Sequence, residues 1–274
     1  MSVFDRGFRY GEGVFETLRA YGTHPFRLEA HLDRAEDGAR QLGFDLPSRP
    51  LLTEAILATA GANEGESDLA LRVTVTPGLI DPDSPFPGRP LGSSNLVVTA
   101  QPIAYGEELY REGVSAAVVT VARELPHIKA LSYLAAALAR REAQRRGAEE
   151  ALLTDARGMV LEGSYSNVFI VVGGLVLTPP LGAGILPGVT RAVTLEVAAE
   201  LGVPVVERPL PLSELLGADE AFLTASTREL VPLVRVAGVP IGSGSPGPTT
   251  RNLHEGYRAE VRREITQASA GGPL

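Results

Sequence analysis

The feature that most restricts the fold is an alternation of β-rich runs with amphipathic helical segments along nearly the whole chain. Residues 13–21 alternate apolar and polar side chains and then turn at Gly22, which predicts a β-hairpin. Residues 28–42 carry apolar side chains at helical spacing and end before Gly43, which predicts a helix. Strands that alternate with helices in this way predict a mixed α/β (α+β) protein.

The length of 274 residues is enough for about two domains. We predict a small two-layer α/β domain over residues 1–104, an interdomain connection over 105–113 and a larger α/β domain over 114–274. The same patterns predict the remaining elements. Predicted helices span residues 51–60, 131–146, 189–201, 212–216 and 249–267, and the longer predicted strands span 69–76, 95–100, 114–122, 168–172, 220–224 and 230–236.

Composition excludes several classes of function. The net charge of −8 and the absence of a basic run with interleaved aromatic residues predict no nucleic-acid partner. Cysteine is absent, so disulfides and thiolate chemistry are excluded. No apolar run is long enough to span a membrane and no signal peptide is recognisable, so we expect a cytoplasmic protein without a membrane partner. The pairs at 140–141 and 145–146, offset by Glu142, are interpreted as a solvated helix face.

Lys129 is the one lysine among the 25 Lys and Arg residues. Arginine is not usefully deprotonated near neutral pH, whereas a desolvated lysine is a free amine that forms imines. A solvated helix end is one interpretation of this exception. The neighbours Pro126, Ile128, Ala130 and Leu131 are mostly apolar, however, and favour a buried amine with a chemical role.

A lysine that forms imines needs a carbonyl partner and an electron sink, and pyridoxal 5′-phosphate supplies both. Its phosphate requires amides at a helix start together with hydroxyl groups. A helix predicted to begin just after Gly188 offers the amides of Val189 and Thr190, and a turn between two strands offers the hydroxyls of Ser226 and Thr227. An ordinary helix start and an ordinary polar turn remain alternatives on these residues alone.

The pyridine nitrogen of such a cofactor stays protonated only beside a carboxylate. Glu162 directly follows the apolar run 159–161, and a carboxylate at the end of a core strand is costly unless it is paired. A cationic ring nitrogen would pair it. A strand-end glutamate that reaches solvent remains the alternative.

Five motifs together carry a close family resemblance over nearly the whole chain. They resemble, in the same order, the motifs of fold-type IV pyridoxal-phosphate enzymes, a family of branched-chain aminotransferases, D-amino-acid aminotransferases and 4-amino-4-deoxychorismate lyases. The motifs are Asp5-Arg-Gly-Phe-Arg-Tyr-Gly-Glu-Gly-Val-Phe-Glu16, His31-Leu-Asp-Arg34, His127-Ile-Lys-Ala-Leu-Ser-Tyr133, Glu162-Gly-Ser-Tyr-Ser-Asn-Val-Phe169 and Gly184-Ile-Leu-Pro-Gly-Val-Thr-Arg191.

The resemblance implies a pyridoxal 5′-phosphate enzyme with a larger pseudo-barrel domain. It also implies a homodimer whose active sites form between the two domains and near the partner subunit. It implies that Lys129 is the Schiff-base lysine and that Glu162 pairs with the pyridine nitrogen. The other implied cofactor residues bind the phosphate or lie near the ring: Arg34, Val189, Thr190, Ser226 and Thr227, with Tyr133 and Asn167. Similar proteins carry several more residues before Asp5, so the first strand is expected to be short or missing.

Within the family, three features favour the lyase, which releases pyruvate and forms 4-aminobenzoate for folate synthesis. Thr17 occupies a position where lyases resemble this chain, Tyr133 follows Lys129 at a lyase-like spacing, and a long loop follows the strand at 69–76. Thr17 is therefore a second catalytic candidate beside Lys129. The alternative is an aminotransferase that acts on branched-chain or D-amino acids with 2-oxoglutarate.

The lyase substrate has two carboxylates that cations should face, and the candidate cations are Arg72, Arg9 and Arg123. Each of the three could equally form a structural ion pair. The predicted substrate-binding residues are Arg72 together with Tyr10 and Phe15. A different class of function also remains: a non-catalytic member of the family that binds a ligand on the same fold. Such a protein would remain colourless with added cofactor.

Overall fold

The computed structural model describes residues 2–65, 67–81, 83, 90–121 and 124–270. The chain divides into two compact units, the first formed by Met1–Ala104 with Ile128–Tyr133 and the second by Tyr105–His127 with Leu134–Leu274. Both contain helices and strands, which confirms the predicted α/β class. Arg123 and residues 82 and 84–89 of the long loop after the strand at 69–76 lie outside the described residues.

The first unit is a four-stranded antiparallel sheet with two longer helices. Its sheet order is β2-β1-β3-β6, and a separate two-stranded ribbon joins β4 to β5. The elements are α1 (Arg6–Tyr10), β1 (Val14–Tyr21), β2 (His24–Pro25), α2 (Leu28–Leu42), α3 (Arg49–Ala62), β3 (Leu69–Thr76), β4 (Leu79–Ile80), β5 (Pro90–Leu91) and β6 (Asn95–Pro102).

Side-chain alternation gives this sheet two different faces. Leu18 of β1 and Leu71 of β3 are fully buried on one face, where Ile56 of α3 packs in the same core. Thr17 and Arg72 are paired across the same two strands and point to the opposite face. The sheet therefore has a core face and a face that carries polar side chains.

The second unit is built on a ten-stranded mixed sheet. Its strand order is β12-β11-β10-β14-β15-β7-β8-β9-β13, with β16 paired to β15. The elements are α4 (Glu108–Glu112), β7 (Val114–Thr120), α5 (Leu134–Arg145), β8 (Glu150–Thr154), β9 (Met159–Gly163), β10 (Asn167–Val172), β11 (Leu175–Thr178), α6 (Val189–Glu200), β12 (Val205–Glu207), β13 (Leu210–Pro211), α7 (Leu212–Leu216), β14 (Glu220–Ala225), β15 (Glu229–Val236), β16 (Val239–Pro240) and α8 (Pro248–Ala270).

The core of the second unit follows from apolar strands that are buried on both faces. Phe169 of β10 and Phe222 of β14 are paired in register, and their stacked rings lie 4.9 Å apart between centroids. Such nearly continuous apolar strands are typical of sheets covered on both sides. No helix in the described part of the chain is long and apolar enough to cross a membrane.

The stretch around Lys129 differs from its prediction. The helix predicted from residue 131 begins at Leu134, because residues 128–133 are irregular and form an isolated β-bridge, Val14 to Ala130, with the first unit. The Phe15 amide donates to the Lys129 carbonyl at 2.9 Å, and the Leu131 amide donates to the Gly13 carbonyl at 3.0 Å. The domain interpretation placed Lys129 in the larger domain, whereas these hydrogen bonds hold it in the first unit.

Candidate active site

The Lys129 side chain lies beside an aromatic ring of the first unit. Its Nζ is 4.6 Å from the centroid of the Phe15 ring, and the edge of Tyr133 meets the same ring at 5.4 Å between centroids. The Arg72 Cζ stacks on Phe15 at 3.8 Å. Lys129, Tyr133, Phe15 and Arg72, which the sequence analysis singled out separately, are thus brought together.

Thr17 extends this arrangement along the sheet. It lies directly opposite Arg72 in the β1–β3 register, on the face that also carries Phe15. Tyr10 lies at the end of α1, where its ring contacts the Arg9 guanidinium, with Cζ 5.5 Å from the ring centroid. The structure therefore groups Thr17, Phe15 and Arg72 on one face, and it places Tyr10 on a different element.

Arg34, the predicted phosphate ligand, forms an ion pair that the sequence analysis missed. Its Nε and Nη2 donate to the two carboxylate oxygens of Glu16 at 2.8 Å and 2.6 Å, and His31 Nδ1 lies 2.7 Å from Glu16 Oε2. The sequence pattern does indicate this ion pair. Strand alternation places Glu16 on the core face of β1, where a carboxylate needs a partner. His31 and Arg34 share one face of α2 at a spacing of three residues.

Electrostatics fix the protonation states of this buried group. Burial opposes ionisation of Glu16, but the Arg34 guanidinium and the hydrogen bond from His31 hold the pKa of that carboxyl well below its usual range. Burial lowers the pKa of His31 despite the hydrogen bond to Glu16, and the charges of Arg34 and Lys129 act in the same direction. His31 is therefore neutral and donates from Nδ1 to an ionised Glu16.

Replacing Glu16 with glutamine is expected to lower the free energy of unfolding by about 3 kcal/mol, because the variant leaves the Arg34 charge buried without its carboxylate. Since the folded pKa of Glu16 lies below the unfolded value of about 4.3, the contribution is present above that pH. It is lost as the pH falls through the folded value. Urea unfolding at pH 7.5 measures the first effect, and a series at successively lower pH below 4 measures the second.

Asp37→Asn on α2 is the matched control, because the Asp37–Arg40 pair is exposed and its loss should cost less than about 1 kcal/mol. Equal destabilisation by the two substitutions would contradict the ascribed role of Glu16.

In the second unit, Glu162 lies buried at the end of β9. Its Oε2 accepts hydrogen bonds from Asn167 Nδ2 and from the Leu186 amide, each at 3.1 Å. Asn167 Nδ2 also donates to the Leu186 carbonyl at 3.0 Å. The alternative in which Glu162 reaches solvent is wrong, and the carboxylate is fixed by Asn167 at the start of β10 and by the Leu186 amide in the segment before α6.

The start of α6 fits the predicted phosphate site. Gly188 is its N-cap residue and provides no side-chain hydrogen bond, so the first amides, those of Val189 and Thr190, are not capped by a side chain. A Cβ at Gly188 would lie 1.9 Å from Asn167 Oδ1. Glycine is therefore required for the close approach of this helix start to Asn167.

Ser226 and Thr227 lie between β14 and β15, and the hydroxyl of Thr224 comes just before them. Thr224 Oγ1 is buried, and no other described residue forms a hydrogen bond with it. Thr224 lies opposite Asn167 in the β10–β14 register. Thr224 was not among the residues predicted from the sequence, although the hydroxyls of Ser226 and Thr227 just after it were.

Each unit, taken by itself, contains groups of the kind that pyridoxal 5′-phosphate requires. The first unit contains an amine beside an aromatic ring. The second unit contains a buried carboxylate, a helix start without a side-chain cap and a buried hydroxyl that forms no hydrogen bond with another described residue. These are the groups that an aldehyde, a ring nitrogen and a phosphate require.

Comparison with known proteins gives a consistent picture. A family model described as "Amino-transferase class IV" matches residues 13–236. The chain is 36% identical over 272 residues to the branched-chain-amino-acid aminotransferase of Pseudomonas aeruginosa, covering 93% of this chain and 86% of that protein. It is 32% identical over 269 residues to the D-alanine aminotransferase of Bacillus licheniformis, covering 97% and 94%.

A solved structure is similar over nearly the same length. It is a T.th. branched-chain amino acid aminotransferase complexed with N-(5′-phosphopyridoxyl)-L-glutamate, and it superposes with a TM-score of 0.83 at 29% identity. The match covers 94% of this chain and 87% of that structure.

Proposed function

The chain belongs to the class IV aminotransferase family, and on that premise we propose that it transfers the amino group of an amino acid to 2-oxoglutarate. It is a pyridoxal-phosphate enzyme of fold type IV, as are the proteins it matches. The relatives act, by their names, on branched-chain amino acids or on D-alanine. We propose a donor from one of these two classes.

The observation that carries the proposal is the setting of Lys129. The only lysine of the sequence lies in an irregular segment that hydrogen bonds to Phe15 and Gly13, with its amine over the Phe15 ring, instead of on a solvated helix end. An amine in such surroundings is suited to covalent catalysis and to proton transfer.

We assign each residue one task. Bound pyridoxal phosphate supplies the electron sink for the carbon that loses its proton. Lys129 carries the cofactor and moves that proton, while Glu162 keeps the ring nitrogen protonated and Asn167 holds Glu162 in place. The proposed phosphate ligands are the amides of Val189 and Thr190, the hydroxyls of Ser226 and Thr227, and Arg34.

Arg72 is the proposed ligand of a substrate carboxylate. Its guanidinium lies flat on Phe15, and in the described part of the chain no carboxylate forms an ion pair with it. Thr17 lies opposite on the neighbouring strand and offers a hydroxyl on the same face. A guanidinium held by an aromatic ring keeps its hydrogen-bond donors available for a carboxylate.

The lyase remains a second candidate. The sequence analysis preferred it on the strength of Thr17 and of the spacing from Lys129 to Tyr133. The structure places Thr17 beside Arg72 and Tyr133 against Phe15, contacts that serve either reaction. The proteins reported above are all aminotransferases, so they support amino transfer better than the lyase reaction.

One assay separates the candidates. The protein is purified with pyridoxal phosphate and supplied with L-leucine, L-valine or D-alanine, each with 2-oxoglutarate, or with aminodeoxychorismate alone. We expect glutamate to form with a branched-chain donor or with D-alanine, and little pyruvate to form from aminodeoxychorismate. Pyruvate and 4-aminobenzoate as the main products would contradict the aminotransferase proposal and establish the lyase.

We further propose a homodimer. Val3, Phe4 and Phe8 are 62%, 50% and 68% exposed around the start of α1, and apolar side chains grouped at a surface mark protein interfaces. Light scattering should give twice the chain mass of 28.9 kDa, and Phe8→Glu should lower it toward the monomer. Leu51→Glu, at an exposed leucine on α3, is the control and should remain dimeric. A monomeric unmodified protein would contradict the proposal.

A further inference from the structure

Glu229 is a buried acidic residue in a backbone conformation that glycine usually adopts. It is the first residue of β15, directly after the β14–β15 turn (residues 226–228), and its side chain is 1% exposed. Its φ is +55°, in the left-handed region that a residue with a Cβ enters only at an energetic cost. A glycine would avoid that cost. We therefore expect the glutamate side chain to have a task that glycine cannot perform.

Two residues of α8 hold the Glu229 carboxylate. His254 Nε2 lies 2.6 Å from Glu229 Oε2, and Arg258 Nε donates to the same oxygen at 2.9 Å. His254 and Arg258 are four residues apart, so they lie on one face of the helix. An ionised carboxylate only accepts hydrogen bonds, so both residues donate to it. This one carboxylate joins the end of the β14–β15 turn to α8.

Helix α4 in turn holds the two donors in place. The Tyr110 ring lies 4.4 Å from the His254 ring between centroids, and Arg258 Cζ lies 4.7 Å from the Tyr110 centroid. Arg258 Nη2 donates to Glu107 at 2.8 Å. Burial opposes the charge of Arg258, but the hydrogen bond to Glu107 and the charge of Glu229 raise the pKa of Arg258, so it remains charged.

A second buried carboxylate, Glu220, fixes the start of α8 without touching the turn. It accepts hydrogen bonds from the amides of Thr249 and Thr250 at 2.9 Å and 2.8 Å, and from the Thr250 hydroxyl at 2.7 Å. Glu220 is the first residue of β14, whereas the turn follows the last residue of that strand. Loss of Glu220 would therefore loosen α8 without acting directly on the turn.

The β14–β15 turn carries two of the proposed phosphate ligands, Ser226 and Thr227. Ala225 and Glu229 are paired across the two strands, and the Arg228 amide donates to the Ala225 carbonyl at 3.0 Å. The backbone at Glu229 thus closes the turn. A hydrogen bond depends steeply on distance and direction, so a shift of about 1 Å at the turn would weaken phosphate binding.

We propose that Glu229, held by His254 and Arg258, positions the β14–β15 turn so that the hydroxyls of Ser226 and Thr227 meet the cofactor phosphate. The inference rests on the proposed function, in which these hydroxyls bind that phosphate. Glu229 is a positioning residue, because it acts through the turn and does not touch the cofactor in this assignment. All of these residues belong to the second unit.

The test compares pyridoxal 5′-phosphate with pyridoxal, which lacks the phosphate. Both aldehydes form an imine with an amine, so the ratio of their Kd values isolates phosphate binding. The full-length chain, freed of cofactor, is titrated with each and the imine absorbance is followed. We expect Glu229→Gln to raise the Kd for pyridoxal phosphate about tenfold and to leave that for pyridoxal within about twofold. Arg258→Gln, at a partly exposed residue, should act less strongly in the same direction and decides the test if the buried substitution does not fold.

Glu229→Gly separates the role of the carboxylate from that of the backbone. Glycine adopts a positive φ without cost, so thermal unfolding should occur at or above the temperature of the glutamine variant. The preference for pyridoxal phosphate should nevertheless fall as it does in the glutamine variant. A glycine variant with full preference would overturn the proposal, because the turn would then keep its shape without the carboxylate.

Glu220→Gln is the control for general destabilisation. It should lower the thermal unfolding temperature and keep the preference for pyridoxal phosphate. The proposal would be overturned by equal weakening of both ligands in Glu229→Gln, or by the same loss of preference in Glu220→Gln.

These titrations do not require amino transfer. A chain with the expected Glu229-dependent preference but without amino transfer would refute the proposed reaction alone. An unchanged preference in Glu229→Gln and Arg258→Gln, with normal amino transfer in the unmodified protein, would refute the inference alone. Equal Kd values for the two ligands in the unmodified chain would overturn the proposed phosphate site and the inference together.

Discussion

Replacing Lys129 with alanine is expected to abolish covalent retention of pyridoxal phosphate and to lower amino transfer on the order of 10⁴-fold or more. The reason is that no other lysine exists in the sequence to take over the task. Loss of the yellow absorbance after gel filtration measures the first effect. The rate of glutamate formation measures the second.

Lys129→Arg is the matched control for this substitution. Arginine keeps a positive charge over the Phe15 ring, where the Lys129 Nζ now lies at 4.6 Å, but it forms no imine and releases no proton near neutral pH. We expect it to be as inactive as the alanine variant while its thermal unfolding stays close to that of the unmodified protein. An alanine variant that stayed yellow and active would refute the assignment of Lys129.

The second large effect is expected at Glu162. A glutamine there keeps the shape of the side chain but cannot balance a cationic ring nitrogen, so we expect turnover to fall on the order of 10²–10³-fold. Cofactor retention should change little, because Glu162 is not among the proposed phosphate ligands. Steady-state kinetics and a cofactor titration on the same preparation measure the two quantities.

Glu162→Asp distinguishes charge from packing. It keeps the negative charge but shortens the reach toward Asn167 and the Leu186 amide, both now at 3.1 Å. Activity of the aspartate variant should lie between those of the glutamine variant and the unmodified protein. If the Glu162→Gln variant were as active as the unmodified protein, Glu162 would not act on the ring nitrogen.

Long elements with a clear apolar period could be predicted from the sequence. The helix predicted over residues 28–42 and the strand predicted over 69–76 match α2 and β3 to the residue. Short elements such as α1, α4 and β16 were missed, because two to five residues contain too little of a period. The predicted start of α5 was wrong because residues 128–133 form tertiary hydrogen bonds to Phe15 and Gly13, which the local sequence does not record, instead of helical ones.

In the candidate site, too, local sequence patterns predicted the burial of a side chain, whereas its tertiary contacts could not be predicted. Glu162 was correctly suspected of being a buried carboxylate, since it follows an apolar run. Its hydrogen bonds to Asn167 and Leu186 depend on loops brought together by the fold. The interpretation of Arg140 as part of a solvated face was wrong, because its guanidinium packs on Tyr165; Arg146 pairs with Glu142 as the sequence suggested.

The most direct test of the central claim is to reduce the cofactor-loaded protein with borohydride, digest it and identify the modified peptide by mass spectrometry. A single lysine makes the result unambiguous, because the only other primary amine is at the chain start. We predict a pyridoxyl group on the peptide that contains Lys129 at close to one per chain. An unmodified Lys129 peptide from a reduced, cofactor-saturated sample would contradict the account.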